Sequence, residues 1–140
     1  MTIKKLFCTL ILMLTASTAD AKGDAITVYK DPNCGCCEAW ITHLREAGFK
    51  VKAVNESDMA ALKLRLGVPA KLASCHTGVV EASGQVIEGH VPASVVEKLI
   101  AQSKVKGIAA PGMPANAPGM GQLNGNLVSV DFTGKQFSKD

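Results

Sequence analysis

The sequence carries no strong excess of either charge. Its 140 residues include 15 Lys and Arg against 12 Asp and Glu, a net charge of +3. The chain also has no dense run of basic residues. Domains that bind nucleic acid need clustered cations to neutralise phosphates. The composition therefore argues against nucleic acid as a partner.

The sequence also lacks an apolar run long enough to cross a membrane. Its N-terminal apolar run covers residues 6–16, whereas a transmembrane helix needs about 20 residues. Lys4 and Lys5 precede this run, and the small residues around Ala21 follow it. That order is typical of a secretory signal. We expect a cleaved signal at residues 1–21, and a single exported domain at residues 22–140 without membrane association.

Hydrophobic periodicity predicts an α/β domain. Apolar positions at helical spacing indicate three helices, and alternating or continuous apolar stretches indicate four strands. The resulting order is β-α-β-α-β-β-α, which is also the order of the thioredoxin-like fold. The predicted strands are residues 25–29, 49–54, 75–81 and 85–88, and the predicted helices are residues 37–47, 59–66 and 92–100.

The C-terminal third differs in composition. Residues 107–121 are rich in Gly, Ala and Pro and contain Met113 and Met120, which predicts an irregular surface loop. Residues 126–132 and 135–137 flank a turn and predict a terminal hairpin. No internal repeat is visible in the sequence.

Three cysteines, Cys34, Cys36 and Cys37, lie between the first predicted strand and the first predicted helix. Cys34 and Cys37 alone form a C-x-x-C pair, which in this context is typical of thiol redox proteins. A helix N-terminus stabilises thiolate and lowers the pKa of a cysteine. Thiolate is both the nucleophile of disulfide exchange and a metal ligand, so this position suits either chemistry.

Cys36 favours metal binding. A third thiol disturbs a two-electron dithiol cycle and raises the density of soft ligands, which select Cu(I), zinc or iron–sulfur centres. Cys36 is expected to project roughly 100° from Cys37 about the helix axis. Such divergent thiols predict a multinuclear cluster or two separate sites rather than one tetrahedral ion.

Cys75 and His76 open the third predicted strand. We expect both to face Cys34 and to complete the ligand set. Other interpretations remain open at this stage: two disulfides (Cys34–Cys37 with Cys36–Cys75), a lone buried Cys75, or a purely polar role for the histidines. His90, Met113 and Met120 are further candidate ligands, and His43 is expected to be solvated on the polar side of the first helix.

Five segments together resemble the CopG family of periplasmic copper-resistance proteins. They read DPNCGCC from Asp31, SCHT from Ser74, EGHVP from Glu88, PGMP from Pro111 and PGM from Pro118. The resemblance covers nearly all of the chain after the predicted signal. It implies a thioredoxin-like fold, a role in copper resistance, and Cu(I) bound by Cys34, Cys36, Cys37 and Cys75. It is also compatible with thiol-coupled copper redox chemistry.

The leading hypothesis is therefore a periplasmic protein that binds Cu(I) as its metal and sequesters it or transfers it to a copper chaperone or exporter. The alternative is an oxidoreductase acting on disulfides or copper, in which Cys34 is the nucleophile and Cys37 the resolving thiol. A structural zinc or iron–sulfur site is a third hypothesis.

Overall fold

The computed structural model describes residues 23–140. The predicted signal at residues 1–21 lies outside this part of the chain. Among the described residues, no helix has the length and apolar character required to cross a bilayer. The strands are β1 Ala25–Lys30, β2 Lys50–Asn55, β3 His76–Val80, β4 Val86–Gly89, β5 Gly107–Ala110, β6 Val128–Asp131 and β7 Gln136–Lys139, and the helices are α1 Gly35–Glu46, α2 Met59–Arg65 and α3 Ala93–Ile100.

All seven strands form one mixed sheet in the order β2-β1-β3-β4-β5-β6-β7. The β1/β2 and β4/β5 pairs are parallel, and each is connected through a helix, α1 or α3. The remaining neighbours are antiparallel. The predicted α/β class and the order β-α-β-α-β-β-α are confirmed, and so is the terminal hairpin, formed by β6 and β7.

The helices pack on the sheet through the faces that their periodicity predicts. Trp40, Ile41 and Leu44 of α1 are fully buried, as are Val95, Val96 and Leu99 of α3. These side chains contact Ile26 and Val28 of β1 and Ile87 of β4 in one core. Burial of apolar area on this scale is the main force that holds helices against a sheet.

The prediction for residues 107–121 is wrong in its first four positions. Gly107–Ala110 forms β5, all four residues are buried, and the strand pairs in parallel with β4. The short apolar sequence GIAA carries no alternation, because both faces of this strand are covered. Residues 111–121, hereafter the Met loop, are irregular as expected, but Ala117 and Pro118 are buried rather than on the surface.

His43 differs from its predicted solvated state. The side chain is half-buried, and its Nε2 accepts a hydrogen bond from the backbone N–H of Ala93, 3.0 Å away, at the start of α3. Burial lowers the pKa of His43 below its ordinary value, although Glu46 acts in the opposite direction. The helical periodicity indicated the side of α1 correctly, but not that the N-terminus of α3 lies against it.

We expect the free energy of unfolding of the His43→Gln variant to fall less steeply than that of the parent as the pH decreases. The unfolded chain takes up a proton on His43 near pH 6.5, whereas the folded chain does so only at lower pH. This histidine therefore decreases the free energy of unfolding as the pH falls through about 6.5, and has no such effect above it. Glutamine keeps an acceptor for the Ala93 N–H without titrating. Urea unfolding of both proteins between about pH 7 and pH 5 measures the difference, and equal slopes would contradict the assignment.

Candidate metal centre

Four chain segments meet at one end of the sheet. β1 ends at Lys30, which pairs with His76 at the start of antiparallel β3. β4 ends at Gly89, which pairs with Ala110 at the end of parallel β5. The loop to α1, the start of β3, the end of β4 and the start of the Met loop are therefore neighbours, although they are far apart in sequence.

The sulfur atoms of Cys34, Cys36, Cys37 and Cys75 all lie within 4.8 Å of one another. Cys34 is the N-cap of α1, as predicted, and Cys37 is buried on the apolar face of the helix. The Cys34 and Cys36 sulfurs are 3.5 Å apart. The sequence predicted either a multinuclear cluster or two separate sites for these thiols. The structure places the four sulfurs in one group, which argues against two separate cysteine sites.

Cys34 and Cys37 form a disulfide, whereas Cys36 and Cys75 are free thiols. The alternative with two disulfides is therefore not what the structure shows. The alternative of a lone Cys75 is also wrong, since its sulfur adjoins three others. With the disulfide formed, Cys36 and Cys75 are the two thiols of this group that could bind a metal. A two-electron, two-proton reduction of the disulfide would add the thiols of Cys34 and Cys37.

Two buried histidines face the Cys75 sulfur. His76 Nδ1 lies 3.2 Å from it and His90 Nε2 lies 3.3 Å from it. The opposite nitrogen of each ring contacts a backbone carbonyl: His76 Nε2 lies 2.9 Å from the Gly89 oxygen, and His90 Nδ1 lies 2.7 Å from the Pro118 oxygen. The six residues Cys34, Cys36, Cys37, Cys75, His76 and His90 are called the cysteine–histidine cluster below.

The carbonyl contacts decide which nitrogens can bind a metal. A carbonyl only accepts, so the nitrogen beside it carries the proton in a neutral ring. The lone pairs of His76 Nδ1 and His90 Nε2 are therefore both directed at Cys75. One S–H can donate to only one of them at a time, so the arrangement suits a bound cation. Such carbonyl partners are the usual way in which ligating histidines are oriented.

The protonation states fit this reading. Burial, together with neighbouring His90, lowers the pKa of His76 to about 3, and burial lowers that of His90 as well. Both rings are therefore neutral at neutral pH and can act as ligands. Burial and the nearby Cys36 raise the pKa of Cys75 to about 11. A metal ion that binds here must displace the Cys75 proton, since the ligand is thiolate.

Trp40 supports the cluster from the core side. Its ring stacks on His76 with centroids 4.3 Å apart, and His76 in turn meets His90 edge to face at 4.8 Å. The indole N–H donates to the Val91 carbonyl at 2.8 Å, which satisfies the buried polar group. The rings are thus held by packing as well as by hydrogen bonds, which fixes the positions of their free nitrogens.

The Met loop covers the cluster. Gly119 packs closely against α1. A Cβ added to Gly119 would lie 2.9 Å from the backbone nitrogen of Trp40 and 3.1 Å from the backbone carbonyl oxygen of Cys36. The Met113 sulfur lies 3.9 Å from the hydroxyl of Ser74, next to Cys75, and Met113 is 46% exposed. Met120 follows Gly119 directly and is 38% exposed. The ligand roles of Met113 and Met120 remain predictions.

Several groups beside the cluster were not predicted from the sequence. The Gly89 and Pro118 carbonyls are backbone atoms, which leave no residue-type signal. The buried carboxylate of Glu88 pairs with Lys63 and accepts a hydrogen bond from the backbone N–H of Ser74, the residue before Cys75. A glutamate in a short apolar strand was the available hint, because a charge in such a strand is buried only when it is paired.

The donor set fits a soft metal ion. Cys75 belongs to two overlapping groups of candidate ligands, one with the other three cysteines and one with the two neutral imidazoles. Reduction of the disulfide adds the thiols of Cys34 and Cys37 to the first group. Thiolate selects Cu(I), zinc or iron–sulfur centres, and imidazole is compatible with copper and zinc. Among the described residues, no carboxylate belongs to this group of candidate ligands, so Mg²⁺ and Ca²⁺ are poor matches.

Comparison with known proteins yields one family model and two solved structures. The model of DUF411, a protein family of unknown function, matches residues 72–120. No curated protein matches the chain. The Form 1 structure of copper resistance protein CopG is 43% identical, with a TM-score of 0.73 over 83% of this chain and 96% of that chain. The Form 2 structure is also 43% identical, with a TM-score of 0.74 over 84% and 98%. This chain belongs to the family of the CopG copper resistance proteins.

Proposed function

We propose that this protein binds Cu(I) in the periplasm and contributes to copper resistance. The observation that carries the proposal is the cysteine–histidine cluster: four sulfurs within 4.8 Å of one another, and two imidazole nitrogens at 3.2 and 3.3 Å from one of them. The solved relatives named above are copper resistance proteins. The predicted signal at residues 1–21 supports a periplasmic location.

The ligand chemistry favours Cu(I) over harder ions. Thiolates are soft and polarisable, and a monovalent soft ion accepts low coordination numbers with them. Four sulfurs so close together can bridge neighbouring ions, so the reduced cluster has the donors for more than one Cu(I). Met113 and Met120 border this region and would add thioether donors, which Cu(I) also accepts.

The same geometry suits transfer of the ion. Cys34, Cys36 and Cys75 are partly exposed, whereas Cys37, His76 and His90 are buried. An ion can therefore exchange between neighbouring thiolates and reach the surface without losing all its ligands at once. We infer that the protein sequesters Cu(I) or delivers it to a periplasmic chaperone or exporter.

Anaerobic titration with Cu(I) tests the proposal. We expect the fully reduced protein to bind Cu(I) tightly and with a defined stoichiometry, counted by metal analysis. The protein with the Cys34–Cys37 disulfide is expected to bind fewer ions, because two of its four sulfurs are no longer thiolates. Alkylation of all thiols is the control for non-specific binding. Equal stoichiometry in the reduced and alkylated proteins would refute the assignment, and tight zinc binding with weak Cu(I) binding would redirect it to zinc.

A second function is favoured by the disulfide itself. Cys34 is partly exposed at the helix N-cap and Cys37 is buried. That is the asymmetry expected of an attacking and a resolving thiol. In the reduced protein, Cys34 thiolate would attack a substrate disulfide and release one thiolate. Cys37 would then displace the second, leaving the Cys34–Cys37 disulfide. Robust insulin reduction by the metal-free protein would favour this oxidoreductase function.

A further inference from the structure

Glu88 is a fully buried carboxylate that hydrogen-bonds to Ser74 and Thr77, the residues on either side of the Cys75–His76 pair. One oxygen, Oε1, accepts from Lys63 Nζ at 2.5 Å and from the backbone N–H of Ser74 at 2.6 Å. The other oxygen accepts from the Thr77 hydroxyl at 2.6 Å. Lys63 also donates to that hydroxyl at 2.9 Å. Both carboxylate oxygens and the ammonium group are therefore partnered.

These bonds lie on both sides of two cluster residues, Cys75 just before β3 and His76 at its start. Ser74 precedes Cys75, and Thr77 follows His76, so the carboxylate holds the chain on both sides of the pair. Glu88 also lies next to Gly89, whose carbonyl fixes the His76 ring. The Glu88 side chain, on β4, thus links the segment that contains Cys75 and His76 to the strand that His90 directly follows.

We propose that Glu88, with Lys63 as its counter-charge, is a positioning residue that sets the place of Cys75 relative to the other three cysteines. The effect on copper binding rests on the proposed function. The effect on the position of Cys75 does not, and it can be measured without copper. Glu88 lies outside the group of residues whose ligand atoms can share a metal. It therefore acts through Ser74 and Thr77 and not as a ligand.

The decisive variant is the double substitution K63M/E88L. Replacing both members of a buried ion pair with apolar groups of similar size is often neutral for folding, whereas removing one member is strongly destabilising. We expect the double variant to remain folded, with a lower thermal unfolding midpoint because the Ser74 N–H and the Thr77 hydroxyl lose their acceptor. Its Cu(I) affinity is expected to fall by about 10- to 100-fold, as for other changes behind metal ligands. The thiolate-to-Cu(I) absorption bands should shift as well.

A second measurement does not depend on copper. In the metal-free protein with the Cys34–Cys37 disulfide, only Cys36 and Cys75 are free among the described residues. Dibromobimane becomes strongly fluorescent when two neighbouring thiolates displace its two bromides. Because a displacement of about 1 Å can cost about 100-fold in rate, we expect the cross-linking step to slow by about tenfold or more in K63M/E88L.

The outcomes separate the two proposals. The exposed control Glu97→Gln on α3 should match the parent in both assays. If the parent does not bind Cu(I), the proposed function fails, and the cross-linking rate still decides the role of Glu88. A folded K63M/E88L protein that cross-links at the parental rate would overturn the positioning role. If the double variant does not fold, Glu88→Gln takes its place, with slowed cross-linking expected and a parental rate again overturning the inference.

Discussion

Replacing Cys34 and Cys37 together by serine is expected to weaken Cu(I) binding by about 1,000-fold or more. A structural zinc site of thiolates and imidazoles contributes about 10–16 kcal/mol, so each thiolate ligand of a comparable site contributes several kcal/mol. This change removes two of the four sulfurs that meet in the cluster. Serine hydroxyls are hard, weak donors for Cu(I) and do not replace thiolate. Competition with a chromophoric Cu(I) chelator under anaerobic conditions measures the loss.

The appropriate reference for this variant is the reduced parent, since both then lack the disulfide and differ only in their donors. Near-ultraviolet circular dichroism of Trp40, which stacks on His76, reports whether the core beneath the cluster is intact. Unchanged stoichiometry and affinity in a folded C34S/C37S protein would remove these two residues from the site. The account of the centre would then rest on Cys36, Cys75 and the histidines.

Gly89→Ala is expected to destabilise the protein by about 2–5 kcal/mol. Gly89 has φ of 75°, and a Cβ there would lie 2.7 Å from the Ala110 carbonyl oxygen and 2.8 Å from Ser74. The left-handed conformation costs about 1–2 kcal/mol for alanine, and overpacking against the backbone adds about 1–3 kcal/mol. The displaced carbonyl of residue 89 would also release His76. Chemical denaturation measures the stability.

Gly84→Ala is a matched control. Gly84 has φ of 71°, close to that of Gly89, but an added Cβ would meet nothing within 4 Å. It should therefore pay only the conformational cost of about 1–2 kcal/mol and leave metal binding unchanged. Equal losses at the two positions would show that crowding at the end of β4 is unimportant.

Local patterns predicted much of this fold. The spacing of Cys37, Trp40, Ile41 and Leu44 identified the buried face of α1 correctly. The same reading placed Cys34 at the helix start. These inferences succeed because neighbours in sequence determine periodicity and capping. Strand β5 was missed because its residues are small and its burial comes from pairing with β4, which is a tertiary property.

The sequence named the residues that the structure brings together in the cysteine–histidine cluster, but not their arrangement. Considered alone, the helical positions of Cys36 and Cys37 indicate that their side chains point in different directions. Convergence follows only when β3 brings Cys75 to the same end of the sheet. Likewise, the directions of the histidine lone pairs depend on carbonyls from other segments. Because every residue has a backbone carbonyl, residue types in the sequence do not indicate which carbonyl will contact a histidine.

The Met loop meets the cluster largely through main-chain groups. His90 donates to the Pro118 carbonyl, and the Ser74 hydroxyl donates to the Gly112 carbonyl at 2.7 Å. The orientation of His90 therefore does not depend on which side chains the Met loop exposes to solvent. Substitution of an exposed residue such as Met113 should therefore leave the His90 ring in its observed orientation.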